Sequence, residues 1–113
     1  MESKEKVAKI KEILKGKKAL DLSILKIENE SVLADYFIVA TGINSEHVKI
    51  LADEVELKME ELGMSLHACE GRASNLWVLL DYKDIVVHIF DKEATELYNL
   101  KVFGMNKSLL VRN

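Results

Sequence analysis

The sequence contains no proline and a single cysteine, Cys69. One cysteine cannot form an internal disulfide, so the chain is expected to work in a reducing cytoplasm. No apolar run approaches the ~20 residues of a membrane-spanning helix, which argues against a membrane protein. The N-terminal segment MESKEKVAKIKEILKGKK also lacks the continuous apolar stretch of a secretion signal.

Low-complexity tracts, internal repeats and linker-like segments are also missing from the sequence. The 113 residues are therefore predicted to form one domain, residues 1–113, because a chain of this length buries one core but not two. Nearly half of the residues are apolar and 31% are charged, which is typical of a globular protein.

Charge is distributed unevenly along the chain. Residues 1–18 hold seven lysines and three glutamates, a net charge of +4, whereas the rest of the chain holds 9 basic and 16 acidic side chains, a net charge of −7. Free nucleic acid is an unfavourable ligand for such an acidic body, and a basic protein is the more natural partner. The alternative is that the acidic surface serves only solubility.

Two segments show the apolar spacing of a helix. In residues 4–15, Val7, Ile10 and Leu14 fall on one side, with lysines on the other. Residues 43–63 can be capped by Asn44 or Ser45 and stopped by Gly63. The apolar stripe of this second helix consists of Val48, Leu51, Ala52, Val55, Met59 and Leu62.

Five further segments are predicted to be strands: 19–27, 35–42, 65–71, 76–81 and 84–90. A short helix is expected at 91–100, which completes the order α-β-β-α-β-β-β-α. These patterns predict an α/β fold with a mixed five-stranded sheet and helices packed on it. The sheet is expected to contain a right-handed βαβ unit over 35–70, whose two strands form a parallel pair, and an antiparallel hairpin over 76–90.

The hairpin segment WVLLDYKDIVVHIF, residues 77–90, has two different faces. If the turn lies between Asp81 and Asp84, one face is entirely aliphatic and forms the core side. The other face then pairs Trp77 with His88, Leu79 with Val86, and Asp81 with Asp84. Such a mixture resembles a binding patch for a basic partner, with one ring edge of Trp77 exposed. The alternative is that a helix covers this face and Trp77 fills the core.

A search for catalytic or metal-binding groups finds no complete set. His67 and Cys69 share a strand face, but two ligands do not make a structural zinc site. The TGINS segment before the second helix has neither a Walker sequence nor a GxGxxG motif, so its signal for phosphate is weak. We therefore predict no metal site, no cofactor and no catalytic residue.

Several spaced motifs together resemble the ribosomal silencing factor family, also called Iojap-like, over roughly residues 19–100. They are a strand end (Asp35 to Gly42), a helix start (Ser45, His47 and Val48), Glu70-Gly71, a strand with Trp77 and Asp81, and Asp84 with Val87-His88. The sequence departs from the family pattern at Glu46, at Lys83 in the hairpin turn, and in the C-terminal LKVFG segment.

The resemblance implies a fold akin to nucleotidyltransferases without their catalytic carboxylate motif, and a role that is not enzymatic. It implies binding to the large ribosomal subunit through ribosomal protein fourteen, which blocks joining of the small subunit and lowers translation when nutrients are scarce. Homodimers also occur in the family. A nucleotidyltransferase-like enzyme and a general dimeric interaction module are the alternatives.

We predict that partner binding uses the mixed hairpin face and its flanking motif. The predicted partner-binding residues are Glu70, Trp77, Leu79, Asp81, Tyr82, Asp84 and His88.

Overall fold

The computed structural model describes residues 2–28 and 34–94. The described segments contain helices α1 (Ser3–Gly16) and α2 (Ser45–Glu61). They also contain strands β1 (Leu22–Lys26), β2 (Tyr36–Gly42), β3 (Ala68–Glu70), β4 (Trp77–Asp81) and β5 (Ile85–Asp91). Each of these elements confirms one predicted from the sequence. The predicted helix at 91–100 is different, because Asp91 belongs to β5 and residues 95–100 lie outside the described residues.

The five strands form one mixed sheet in the order β1-β2-β5-β4-β3. The neighbours β2 and β5 are parallel, and the other three neighbouring pairs are antiparallel. This confirms the predicted α/β class, the mixed five-stranded sheet and the antiparallel hairpin, here formed by β4 and β5. The right-handed crossover and the likeness to nucleotidyltransferases stay predictions.

The expected pairing of β2 with β3 is wrong. These strands run in the same direction, but β5 and β4 lie between them. The reason is one of length and burial. β3 has only three residues, whereas β5 has seven and is buried along most of its length, so it offers β2 a partner for all seven of its positions.

Both helices bury the apolar residues that their spacing predicted. Val7, Ile10 and Leu14 of α1 are buried, and so is the stripe of α2 except for Leu62, which is 40% exposed. Asn44 is the cap of α2, since its Oδ1 accepts a hydrogen bond of 2.9 Å from the His47 N–H. Neither described helix is long and apolar enough to cross a membrane.

The sheet has two faces with different cover. Its helix face packs against α1 and α2 and holds Val78, Leu80, Ile85, Val87 and Ile89. Alternation along the strands turns the next residues to the opposite side, which we call the outer face. A second buried cluster lies there, made of Leu25, Ile27, Phe37, Val39 and Phe90, with Ala34, Trp77 and Val86 partly buried against it.

Candidate partner-binding surface

The β4–β5 turn consists of Lys83 and Asp84. The Tyr82 N–H donates a hydrogen bond of 2.8 Å to the Ile85 carbonyl, which makes Tyr82 and Ile85 the last paired residues. Lys83 adopts a positive φ of 75°, and its N–H donates to Asp81 Oδ1 at 2.7 Å. The Asp81 side chain therefore closes a turn in which Lys83 takes a positive φ that glycine adopts more readily.

This turn corrects the predicted hairpin register by two residues. Trp77 lies opposite Phe90, Leu79 opposite His88, and Asp81 opposite Val86. A shift of two leaves the side chains of residues 77–81 and 85–90 on their predicted faces, because the period of a strand is two. The aliphatic core side and the mixed outer side of the hairpin are thus confirmed, although the individual pairs are not.

Trp77 and His88 are in contact despite the register shift. Trp77 Nε1 donates a hydrogen bond of 3.1 Å to His88 Nδ1, and the two ring centroids are 5.9 Å apart. Because Nδ1 accepts this bond, the proton of the neutral ring is on Nε2. Burial lowers the pKa of His88 to about 4, so the imidazole is neutral at physiological pH.

Four of the predicted partner-binding residues lie together at the β3–β4 end of the outer face. Glu70 lies next to Leu79 across the β3–β4 pair, with Trp77 and Asp81 on the same side of β4. Glu70 is exposed, and the other three side chains are partly exposed. This group, which we call the acidic-apolar patch, combines two carboxylates with an indole and an aliphatic side chain.

The other three predicted residues do not belong to this patch. His88 is 2% exposed and supports Trp77 from beneath. Tyr82 is 5% exposed and packs into the core of the helix face. Asp84 faces α1, because its Oδ2 accepts a hydrogen bond of 2.6 Å from Ser3 Oγ and its Oδ1 lies 3.0 Å from Lys6 Nζ.

The environment of Asp84 explains its role. Burial disfavours the charged form of this carboxyl, but the hydrogen bonds from Ser3 and Lys6 and the charge of Lys6 outweigh that effect and lower its pKa. Asp84 is therefore an ionised anchor for the first turn of α1. The prediction that it faces Asp81 on the partner side fails because the turn reverses at Asp84.

Two residues next to the patch were missing from the predicted set. Val86 and Ala68 flank Asp81 on the neighbouring strands, and both are at least partly exposed. The alternation of β5 placed Val86 on this face, so the sequence carried a signal for it. Ala68 had none, because its position depends on the pairing of β3 with β4.

The loop before β4 is fixed by Gly71 and Arg72. Gly71 has a φ of +84°, and a Cβ atom there would lie 1.9 Å from the Trp77 carbonyl oxygen. Arg72 donates hydrogen bonds to Glu56 and Asp53 of α2. The Glu70-Gly71 motif thus allows the chain to pass close to Trp77, and Arg72 ties that passage to α2.

His47 has a structural role at the start of α2. Its Nδ1 accepts a hydrogen bond of 2.9 Å from the Ile43 N–H, and its Nε2 lies 2.8 Å from the Lys17 carbonyl oxygen. The second contact is a donation, because Nδ1 is already the acceptor. The histidine of the helix-start motif therefore joins the end of α1 to the start of α2.

Among residues 2–28 and 34–94, no three His, Cys, Asp or Glu side chains gather as metal ligands.

Comparisons with known proteins agree with these motifs. Residues 1–104 match the family described as "Ribosomal silencing factor during starvation". The ribosomal silencing factor RsfS of Bacillus subtilis (strain 168) is 37% identical over 89 residues, which cover 78% of this chain and 75% of the relative. A mouse relative named "Mitochondrial assembly of ribosomal large subunit protein 1" is 22% identical over 92 residues, covering 79% of this chain and 40% of the relative.

The fold is also similar to solved structures. A crystal structure of a Chromobacterium violaceum protein superposes with a TM-score of 0.85 and 33% sequence identity, covering 91% of this chain and 86% of that one. The family match covers residues 1–104 of the 113-residue chain. The chain therefore belongs to the ribosomal silencing factor family.

Proposed function

We propose that this protein is a cytoplasmic translational repressor that binds the large ribosomal subunit through ribosomal protein fourteen. Bound there, it obstructs joining of the small subunit and lowers translation when nutrients are scarce. Membership of the ribosomal silencing factor family is the observation that carries this proposal. The printed name of the mouse relative, which refers to assembly of the large subunit, supports the choice of subunit.

The acidic-apolar patch suits a basic protein partner. Trp77 and Leu79 offer partly exposed apolar area, and the carboxylates of Glu70 and Asp81 offer negative charge beside it. Binding hot spots favour tryptophan, and complementary charge selects the partner. A footprint of roughly 800 Å² on each partner is enough for specific docking. A protein bound there obstructs the small subunit by its position alone, without any chemical reaction. We therefore propose a role without catalysis or cofactor.

Reversal of one patch charge tests this proposal. We expect Asp81→Lys to weaken binding to purified large subunits by at least about tenfold, or ~1.4 kcal/mol, because a basic surface would meet a like charge. Asp81→Asn keeps an acceptor for the Lys83 N–H and removes only the charge, so it should lose less. Glu61→Lys on α2 is the matched control, since it reverses an exposed charge on the helix side of the sheet.

Cosedimentation with the large subunit measures binding, and thermal unfolding shows whether each variant is folded. Full affinity of a folded Asp81→Lys protein would exclude the patch as the docking surface. Equal losses for Asp81→Lys and Glu61→Lys would show a general charge effect. Addition of small subunits to the complex, followed by light scattering, then tests whether bound protein blocks joining.

A further inference from the structure

A small cavity lies on the helix side of the sheet, away from the acidic-apolar patch. It has a volume of about 220 Å³ and lies between the second half of α2 and the segment that follows it. Its lining residues are Glu56, Glu60, Met64, Ser65, Leu66 and Tyr82. Drug-sized ligands and cofactors occupy roughly 300–1,000 Å³. This cavity therefore fits the end of one side chain better than a whole cofactor.

Tyr82 provides the unusual feature of this cavity. The side chain is 5% exposed, and among the described residues its hydroxyl has no hydrogen-bond partner. Burial, and secondly the charge of Glu56, raise the pKa of Tyr82, so the hydroxyl stays neutral. Buried polar groups are almost always hydrogen-bonded, because an unpaired one has lost water without replacement. A hydroxyl buried in this way indicates a hydrogen-bonding group beyond those that residues 2–28 and 34–94 supply.

The charges of the lining define the chemistry of that group. The lining contains two carboxylates and no basic side chain, which disfavours an anion. Arg72 already binds Glu56 at Oε2. Within the described part of the chain, by contrast, no ion pair involves Glu60. The cavity thus offers a carboxylate and a phenol oxygen to a hydrogen-bond donor that carries positive charge.

The apolar part of the lining fits the stem of such a ligand. Met64 and Leu66 are partly buried and pack against the core of the helix face. Lysine and arginine side chains bury their methylene stems on surfaces of this kind and keep the charged end in a polar environment. From this combination we propose that the cavity binds the ammonium or guanidinium group of one basic side chain on a partner protein.

The inference does not depend on ribosome binding, and capped amino acids test it directly. The probes are Nα-acetyl-arginine amide and Nα-acetyl-lysine amide, with uncharged Nα-acetyl-norleucine amide as the control. In an NMR titration of the ¹⁵N-labelled protein, we expect the charged probes to shift the backbone resonances of residues 56–66 and 82, and the uncharged probe to leave them in place. Absence of any shift with the charged probes, or equal shifts with all three, would contradict the proposal.

Two variants with a matched control locate the binding groups. We expect Tyr82→Phe and Glu60→Gln each to weaken binding of the charged probes by at least about fivefold, because hydrogen bonds to charged groups are the strong ones. Glu61→Gln changes the next residue of α2, which lies outside the lining, and should bind normally. An equal loss in Glu61→Gln would indicate a diffuse charge effect and overturn the assignment.

Stability and a second probe complete the test. Tyr82→Phe removes a hydroxyl without a described partner, so its melting temperature should stay the same or rise. A clear fall would show that the hydroxyl is already paired and would overturn the inference.

The diamine putrescine tests the source of the charged group. If putrescine binds more than about tenfold tighter than the capped amino acids, the cavity belongs to a free diamine and not to a partner protein.

Discussion

His88 supports Trp77 from beneath the outer face. The imidazole is 2% exposed, accepts the Trp77 Nε1–H and lies between the rings of Trp77 and Phe37, whose centroids are 5.9 and 4.8 Å from its own. His88 thus packs between two aromatic rings and accepts one hydrogen bond. It can accept that bond only while the imidazole is neutral, because a protonated ring has no acceptor nitrogen. The orientation of the partly exposed indole therefore depends on a group that is out of reach of any partner.

Protonation of His88 should destabilise the fold. Its folded pKa of about 4 lies below the ordinary value of 6.5, so as pH falls the unfolded chain takes up a proton before the folded one does. The stabilising contribution is present above pH 6.5 and is lost toward pH 4. Between pH 7.5 and pH 5 we expect a loss of about 2 kcal/mol of unfolding free energy from this residue alone.

Urea denaturation at several pH values measures this loss. His88→Asn is the control, because its amide oxygen can accept the Trp77 hydrogen bond and does not titrate in this range. The variant should be less stable at pH 7.5 but show a flatter pH dependence than the parent. Parallel pH profiles of the two proteins would show that His88 does not titrate as we expect.

Gly71 is the second residue on which the position of Trp77 depends. We expect Gly71→Ala to cost at least about 2 kcal/mol of stability, since the new methyl group adds a clash with the Trp77 carbonyl to the strain of a positive φ. Gly63→Ala is the matched control. Gly63 has a φ of +80° and no atom within 4 Å of its Cβ position, so this change should cost only about 1 kcal/mol. Equal losses in denaturant unfolding would show that the loop moves aside.

At the scale of elements, α1 is held at both of its ends. Ser3 and Lys6 bind Asp84 in the β4–β5 turn, and the Lys17 carbonyl accepts a hydrogen bond from His47 at the start of α2. Between these ends the three buried residues of α1 pack into the core of the helix face. The hairpin turn thus couples the register of β4 and β5 to the docking of α1.

Removal of the Asp84 carboxylate should loosen the N-terminal half of α1. We expect Asp84→Ala to lower stability by about 1 kcal/mol, because the pair with Lys6 is partly exposed and screened. Hydrogen exchange should accelerate mainly for amides near residues 5–9. Asp35→Ala removes only a bond of 2.9 Å to Ser3 and should have a smaller effect. Exchange that is faster everywhere, or unchanged in α1, would contradict this anchoring role.

At the scale of the whole molecule, charge separates the N-terminal segment from the rest of the chain. The lysine-rich residues 1–18 include α1, which packs on the helix face. The acidic-apolar patch lies on the outer face and contains two acidic residues, Glu70 and Asp81. A basic partner that approaches the outer face is attracted by the carboxylates of the patch. The sheet separates this partner from the lysines of α1, so their repulsion is weaker.

Association with isolated ribosomal protein fourteen, the partner that we propose, should therefore depend on salt. Between about 20 and about 150 mM salt we expect the association rate to fall at least about fivefold, and dissociation to change less, because screening acts on the approach. Isolated ribosomal protein fourteen is used in place of the whole subunit because ribosomal RNA would repel the acidic protein. Stopped-flow fluorescence of Trp77 can follow both rates. An association rate indifferent to salt would exclude electrostatic steering.

The periodicity of the sequence determined the elements and their faces. Val7, Ile10 and Leu14 repeat at helical spacing, and alternation in β4 and β5 separates the aliphatic side from the mixed one. These features are local, because the spacing of apolar residues predicts which side of a segment is buried. That prediction does not depend on which other segment packs against it. For the same reason the placement of Leu79 and Asp81 on the mixed strand face could be predicted, whereas Glu70 was included only through its family motif.

Tertiary structure decided which strands and helices lie next to each other. The order of strands depends on which segments bury the most area against each other across the chain, so β5 and not β3 lies beside β2. The turn at Lys83 and Asp84 set the hairpin register, and contacts with α1 hold Asp84 away from the outer face. Tyr82, next in sequence to Asp81, packs into the core of the helix face because the turn begins only at Lys83, so the pairing of the two strands extends to Tyr82. No local pattern contains these contacts, since each one joins segments far apart in the sequence or depends on a backbone angle that lysine rarely adopts.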